Sequence, residues 1–176
     1  MPTNPIDFFM YLESNRGAIP GEAADAVFKD HIQVNRFTID IAGPDLDAGK
    51  DTEAGQCSFQ KVEIELISSV ATATLLSCCC SGELLKTATI VCRKAGTTQQ
   101  PYLQWRFHKV QVANYKVATS GEQPVETINL KYAKLEVCYF RQSQDGRVEE
   151  AGRMAGWDAD TNTKLAATLP YDPKKK

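Results

Sequence analysis

The sequence predicts a mainly β protein, a small antiparallel β-barrel with one short flanking α-helix and a long extended loop. Three changes of hydrophobic phase predict it. In residues 102–119, Leu103, Trp105 and Phe107 share one parity before Val110 and Val112 take the other. In residues 32–41, Ile32 and Val34 give way to Phe37, Ile39 and Ile41 across Asn35-Arg36, and in residues 128–140, Ile128 and Leu130 are followed by Leu135, Val137 and Tyr139. Successive strand side chains point to opposite faces, so a one-residue slip marks a bulge or a bend. Long strands that turn a corner serve two walls, and a sheet built from them closes on itself.

The elements follow in order. Phe8, Met10 and Leu12 alternate with Phe9, Tyr11 and Glu13 as a short first strand, and the Gly- and Ala-containing residues 16–26 form a connecting loop. A second strand over 31–41 ends at Gly43-Pro44. From there to Ser58 almost every residue is small, acidic or polar, with Leu46 the one large aliphatic side chain. Loops of this length without structure of their own are uncommon in compact domains and are usually functional or mobile. The third strand is the clearest: Val62, Ile64 and Leu66 face a core while Lys61, Glu63 and Glu65 face water.

Ser68 or Ser69 then offers a helix N-cap and Gly82 a stop, with Ala71, Leu75, Cys78 and Cys79 at helical spacing between them. That register turns Cys78 and Cys79 to the core and Cys80 further round. Ala88, Ile90 and Cys92 alternate with Thr87, Thr89 and Val91, and a turn at residues 94–97 leads into the long strand over 102–119. Ser120-Gly121 and Pro124 turn the chain into residues 125–140, completing a meander. Asp145-Gly146 predicts that residues 147–151 double back on the preceding strand. A single domain over 1–165 is expected, with a polar tail over 166–176 whose terminal lysines are solvated.

At 176 residues the chain is long enough to fold by burial alone, without a metal or disulfide staple. Lys+Arg 20 against Asp+Glu 22 gives a net charge of -2, which lacks the one-sided basic field of nucleic-acid binders. No apolar stretch approaches a membrane span, and the first residues lack the basic start of a signal peptide, so folding in the cytoplasm without a membrane partner is expected. Of six cysteines, Cys78, Cys79 and Cys80 are consecutive in a helix-like segment, and Cys92 and Cys138 sit in strand interiors. That is no secreted disulfide framework, and buried apolar filler is the plainer reading.

Several patterns fail on inspection. Residues 43–50 mimic a phosphate-binding loop, but five residues separate the glycines, Asp51 stands where Ser or Thr would hold magnesium, and Asp45 and Asp47 would repel phosphate. Read as a calcium loop, the same stretch has Lys50 in place of the turn glycine and Gln56 in place of the bidentate glutamate. His31 and His108 belong to no metal or triad pattern, so no cofactor is expected. A thiol-dependent enzyme remains the alternative, using Cys78, Cys79 or Cys80 with His31 or His108 across the fold. A barrel holding a ligand in its own core is opposed by the size of Phe37, Trp105, Phe107 and Leu130.

One resemblance draws these features together. Ser68-Ser69, Cys79 with Ser81-Gly82, Arg93-Lys94-Ala95-Gly96, Tyr102-Leu103, Val112 with Tyr115, and Pro124-Val125-Glu126-Thr127 come in an order that continues through Leu130, Tyr132-Ala133-Lys134, Glu136 and Tyr139 to Gly156-Trp157-Asp158. From Phe8 to about Asn162 the chain resembles the Hcp (haemolysin-coregulated protein) family, the inner tube of the bacterial type VI secretion system. It departs from the family at His31, where an acidic residue is usual, at Val70, where Pro is common, and in the triple cysteine.

The resemblance implies a non-enzymatic structural protein, secreted through the type VI system, whose barrels form hexameric rings. The rings stack into a tube inside a contractile sheath, carrying a spike of the valine-glycine-repeat family and chaperoning effectors. It implies too that the loop after the second strand is an arm reaching a neighbouring subunit or ring, which places Asp45, Leu46, Asp47 and Lys50 at an interface. The wet faces carrying Lys61, Glu63, Glu65, Gln104 and Arg106 are then expected to line the channel.

Overall fold

The computed structural model describes residues 6–44, 56–94, 100–119, 123–144, 146–149 and 152–173. The strands are β1 (Ile6–Ser14), β2 (Gly17–Ile19), β3 (Ile32–Thr38), β4 (Ile41–Ala42), β5 (Ser58–Phe59), β6 (Val62–Ile67), β7 (Leu84–Lys94), β8 (Pro101–Thr119), β9 (Pro124–Lys131), β10 (Lys134–Tyr139), β11 (Arg153–Asp158) and β12 (Thr163–Lys164). One helix, α1 (Thr72–Ser81), joins β6 to β7. Antiparallel pairing runs β8-β7-β1-β3-β6-β9 and closes through β9 back onto β8, making a six-stranded barrel. β10, β11 and β12 extend from the first half of β8 as a flap outside it.

The corners fall where the phase slips. β8 pairs with β10 as far as His108 and with β9 from Gln111 onward, and between them Lys109 takes φ 53°. A left-handed non-glycine residue is uncommon, and here it re-aims the strand so that Val110 and Val112 succeed Phe107 as the buried side chains. The second slip is a register shift between Val34 and Arg36 in the pairing of β3 with β6. The third is a break rather than a bulge, because Tyr132 and Ala133 separate β9 from β10. Beyond it the expected burial is corrected. Leu135 is buried, but Tyr139 is half exposed, and Glu136 and Cys138 on the opposite face are fully buried.

The barrel interior is filled by side chains including Met10, Leu12, Ile64, Ile90, Phe107 and Leu130, each fully buried. Burial of each contributes roughly 1.5–3 kcal/mol, and no hollow core remains for a ligand among these packed side chains. Leu75 and Cys78 of α1 join the same core, with Cys79 half-buried and Cys80 exposed. The helix stops at Gly82, whose φ of 69° suits glycine and whose N–H reaches the Cys78 carbonyl at 3.1 Å.

The helix start differs from expectation. Ala71 occupies the N-cap position with no side-chain cap. Ser69 forms the turn ahead of it, its hydroxyl accepting from the Ala71 N–H at 3.3 Å while its own N–H donates to the Thr72 hydroxyl at 3.0 Å. Serine hydroxyls readily bond nearby backbone in such turns. The Thr72 hydroxyl in turn donates to the carboxylate of fully buried Glu126.

Two further segments are more ordered than a loop. Residues 17–19, expected to be irregular, pair as β2 with β1. After the flap strand β10, the Ser143 N–H reaches the Arg147 carbonyl at 3.0 Å and Gln142 bridges Val148, so the chain doubles back as Asp145-Gly146 predicts, through one bridge rather than a strand. The turn residues 95–97 and 120–121 lie outside the described residues.

Candidate functional site

The expected assembly residues separate into three places. Along β6, Val62, Ile64 and Leu66 are fully buried, while Lys61 just before the strand and Glu63 within it are exposed. Glu65 is half-buried and pairs with Arg36 at 3.3 Å. Alternation therefore presents Lys61, Glu63 and Glu65 on one wet face.

The arm springs from a two-stranded ribbon in which Ile41 opposes Phe59 and Ala42 opposes Ser58. Phe59 stacks on Tyr132 at 5.1 Å, which pins the ribbon to the break between β9 and β10. Asp45, Leu46, Asp47 and Lys50 lie outside the described residues.

Gln104 and Arg106 are placed differently from expectation. Gln104 is only 2% exposed, and its amide bonds both ways to one backbone unit, donating to the Tyr171 carbonyl at 3.2 Å and accepting from the Tyr171 N–H at 2.8 Å. Arg106 donates to the Thr89 hydroxyl at 3.2 Å and to the Thr168 hydroxyl at 2.6 Å. Neither stands on an open sheet face, because the C-terminal segment crosses them. The tail expected from 166 is thus not free over its described part: Leu169 is 4% exposed.

Glu136 holds the other end of that segment. Fully buried, its carboxylate accepts from the Thr168 N–H, from the Leu169 N–H at 3.1 Å, from the Thr168 hydroxyl at 3.0 Å and from the His108 ring at 2.6 Å. Burial opposes its ionisation, but the Thr168 N–H, the His108 ring and the Leu169 N–H outweigh it and hold the carboxyl below its ordinary pKa. Sequence reasoning missed this cluster. Its signal was Leu169-Pro170-Tyr171, an apolar and aromatic island inside a polar tail.

Arg93 was also missed as a charge centre. It is 2% exposed, bonds Asp25 at 2.7 Å and Asp7 at 3.0 Å, and lies 5.0 and 5.5 Å from the ring centres of Phe9 and Phe28, which stack on each other. The bond from Arg93 holds the Asp25 carboxyl down at about 2, helped by the Phe28 and Val27 N–H groups. This pairing ties the excursion before β3 onto β1 and β7.

No observation among the described residues supports the thiol alternative. Burial raises the pKa of Cys78 and of Cys138, and pushes Cys92 up to about 12, opposite to the shift a nucleophilic thiolate needs. His31 meets the Lys29 carbonyl with Nδ1 and the Tyr171 hydroxyl with Nε2, each at 3.0 Å, so both nitrogens have oxygen partners. His108 is engaged by Glu136. Among the described residues no group of three or more His, Cys, Asp or Glu side chains could hold a metal, and no helix is long and apolar enough to cross a membrane.

The model of the family described as "Type VI secretion system effector, Hcp" matches residues 9–139, which reach from within β1 to the end of β10 and so take in all six barrel strands. The chain belongs to the Hcp family. Hcp crystal structures share the fold. Hcp1 from Salmonella typhimurium is 23% identical with a TM-score of 0.72, the alignment covering 92% of this chain and 100% of that one. A type VI secretion effector from Yersinia pestis is 24% identical with a TM-score of 0.66, covering 86% and 99%. A further type six secretion system protein reaches a TM-score of 0.80 at 22% identity, covering 92% and 100%. No curated protein matches the chain. As an Hcp protein it is a subunit of the type VI secretion tube, a structural and secreted component. The segment that covers Gln104 and Glu136 follows the family match, which ends at Tyr139.

Proposed function

We propose that this Hcp chain closes into homohexameric rings that stack into a tube, carrying a valine-glycine-repeat spike and secreted effectors inside a contractile sheath, and that it catalyses no reaction. The observation that carries the reading is the family match taking in all six barrel strands. A heterologous contact that closes on itself gives a ring, and a second surface lets ring faces stack. The arm after β4, with Asp45, Leu46, Asp47 and Lys50, is the proposed reach to a neighbouring subunit. Its ribbon root is fixed to the barrel by the Phe59–Tyr132 stack, so a docked arm would be coupled to the core.

Lys61, Glu63 and Glu65 are the proposed channel lining, a polar and mixed-charge surface past which a folded effector would slide without sticking. The subunit folds as one body in the cytoplasm before export, and residues 1–165 with the packed C-terminal segment form that body.

Light scattering of the purified chain tests the reading. A mass near six protomers is expected, and a stable monomer at high concentration would overturn it. Deleting residues 45–52 is expected to leave the barrel folded and to abolish ring closure or stacking; loss of the fold would instead place the arm in the core.

A further inference from the structure

The contacts that hold residues 168–171 take hold of both backbone and side chains. Gln104 exchanges two hydrogen bonds with the backbone of Tyr171, as a neighbouring strand would, and Glu136 accepts the N–H groups of Thr168 and Leu169. Two side chains are read closely, and the first is Thr168, whose hydroxyl accepts from Arg106 at 2.6 Å and donates to Glu136 at 3.0 Å. The Tyr171 ring stacks on Tyr11 with centroids 5.2 Å apart, and its hydroxyl meets His31. The Lys29 carbonyl can only accept, so the His31 Nδ1–H donates to it and Nε2 faces the Tyr171 hydroxyl.

Main-chain clamps beside an aromatic socket are a general way to hold an extended peptide, with backbone bonds supplying affinity and the socket supplying choice. Tyr11, His31, Gln104 and Glu136 all lie within the family match, whereas the segment they hold lies beyond it. The groove's residues thus lie within the family match and its occupant after it. Among the described residues no strand pairs with residues 168–171; their backbone bonds to Gln104 and Glu136.

We propose that this groove on β8 and β10 is a docking site for an extended peptide bearing an aromatic side chain, and that the chain's own residues 168–171 occupy it in cis as a competing plug. The partner it fits has two adjacent backbone N–H groups for Glu136 and, two residues on, an aromatic residue with a hydroxyl for His31.

A fluorescent peptide of sequence Ala-Thr-Leu-Pro-Tyr-Asp is titrated into the full-length chain and into full-length Tyr171→Ala, whose plug lacks its anchor. Saturable binding to Tyr171→Ala is expected, at least about tenfold tighter than to the unaltered chain, because self-occupancy lowers apparent affinity by the fraction of open sites. Adding Gln104→Ala to that variant is expected to weaken binding at least about tenfold. Absence of saturable binding to folded Tyr171→Ala, or equal binding with and without Gln104→Ala, overturns the site. Equal binding by the unaltered chain and Tyr171→Ala overturns the plug. If Tyr171→Ala does not fold, Tyr171→Phe keeps the ring and loses the bond to His31, and a failure to bind the peptide more tightly than the unaltered chain overturns the proposal.

Discussion

Gln104 and Tyr171, 67 residues apart, pair as if in a sheet, the side-chain amide of one bonding both the N–H and the carbonyl of the other at 2.8 and 3.2 Å. Because Gln104 is buried, nothing replaces its bonds when it is removed. Gln104→Ala is expected to cost about 1–3 kcal/mol in urea unfolding. It should also speed hydrogen exchange at the Tyr171 amide far more than at the β7 amides, since it opens the strap before the barrel. Unchanged exchange at Tyr171 would show that the pairing does not hold the segment.

Glu136→Gln tests the other clamp. A carboxylate is acceptor-only and here is met by four donor groups, whereas an amide brings two N–H donors against the donors of Thr168, Leu169 and His108. A loss of about 2–4 kcal/mol is expected from the denaturation midpoint. A neutral result would mean the carboxylate is protonated in the folded chain.

Acid should weaken the fold through two carboxylates. Asp25 is held at about 2 by its bond to Arg93, and Glu136 is held below its ordinary value against the opposing effect of burial. Both folded pKa values lie below the unfolded ones, so the unfolded chain binds more protons and stability falls with pH. The contribution is complete above the unfolded carboxyl range near roughly pH 4 and drains as pH falls, for Asp25 toward about 2. Asp25→Asn is expected to lower stability at pH 7 and to flatten the loss between about pH 4 and 2. A variant whose acid profile matches the parent would remove Asp25 from the account.

The barrel was legible because its corners are written as parity slips. The slip at Asn35-Arg36 is the register shift between Val34 and Arg36, and the slip between Phe107 and Val110 is the left-handed Lys109. Period-2 alternation also identified the buried row Val62, Ile64 and Leu66. What alternation could not give was burial on both faces of one strand. Val91, Arg93, Gln104 and Glu136 are buried because the excursion before β3 and the C-terminal segment cover them from outside. Those covers come from distant sequence and bond through backbone, which leaves no periodic trace. Gln104 read as wet for that reason. The arm was legible as an oddity of composition, but its role came only with the resemblance.

Native thiol labelling separates the tube subunit from a thiol enzyme. Cys80 is exposed, Cys57 and Cys79 are half-buried, and Cys78, Cys92 and Cys138 are buried. A thiol reacts as thiolate and only when reached, and burial raises the pKa of all three buried cysteines, Cys92 to about 12. At neutral pH Cys80, the exposed one, should therefore label first. Cys92 and Cys138 should wait for opening of the barrel, slower by roughly a hundredfold or more. Raising the pH to 9 should not bring Cys92 forward, because access limits it. Mass spectrometry of time points resolves each site. A cysteine that labels much faster than a free thiol at pH 6 would signal a depressed pKa, and with it a nucleophile that the packing of His31 and His108 does not provide for.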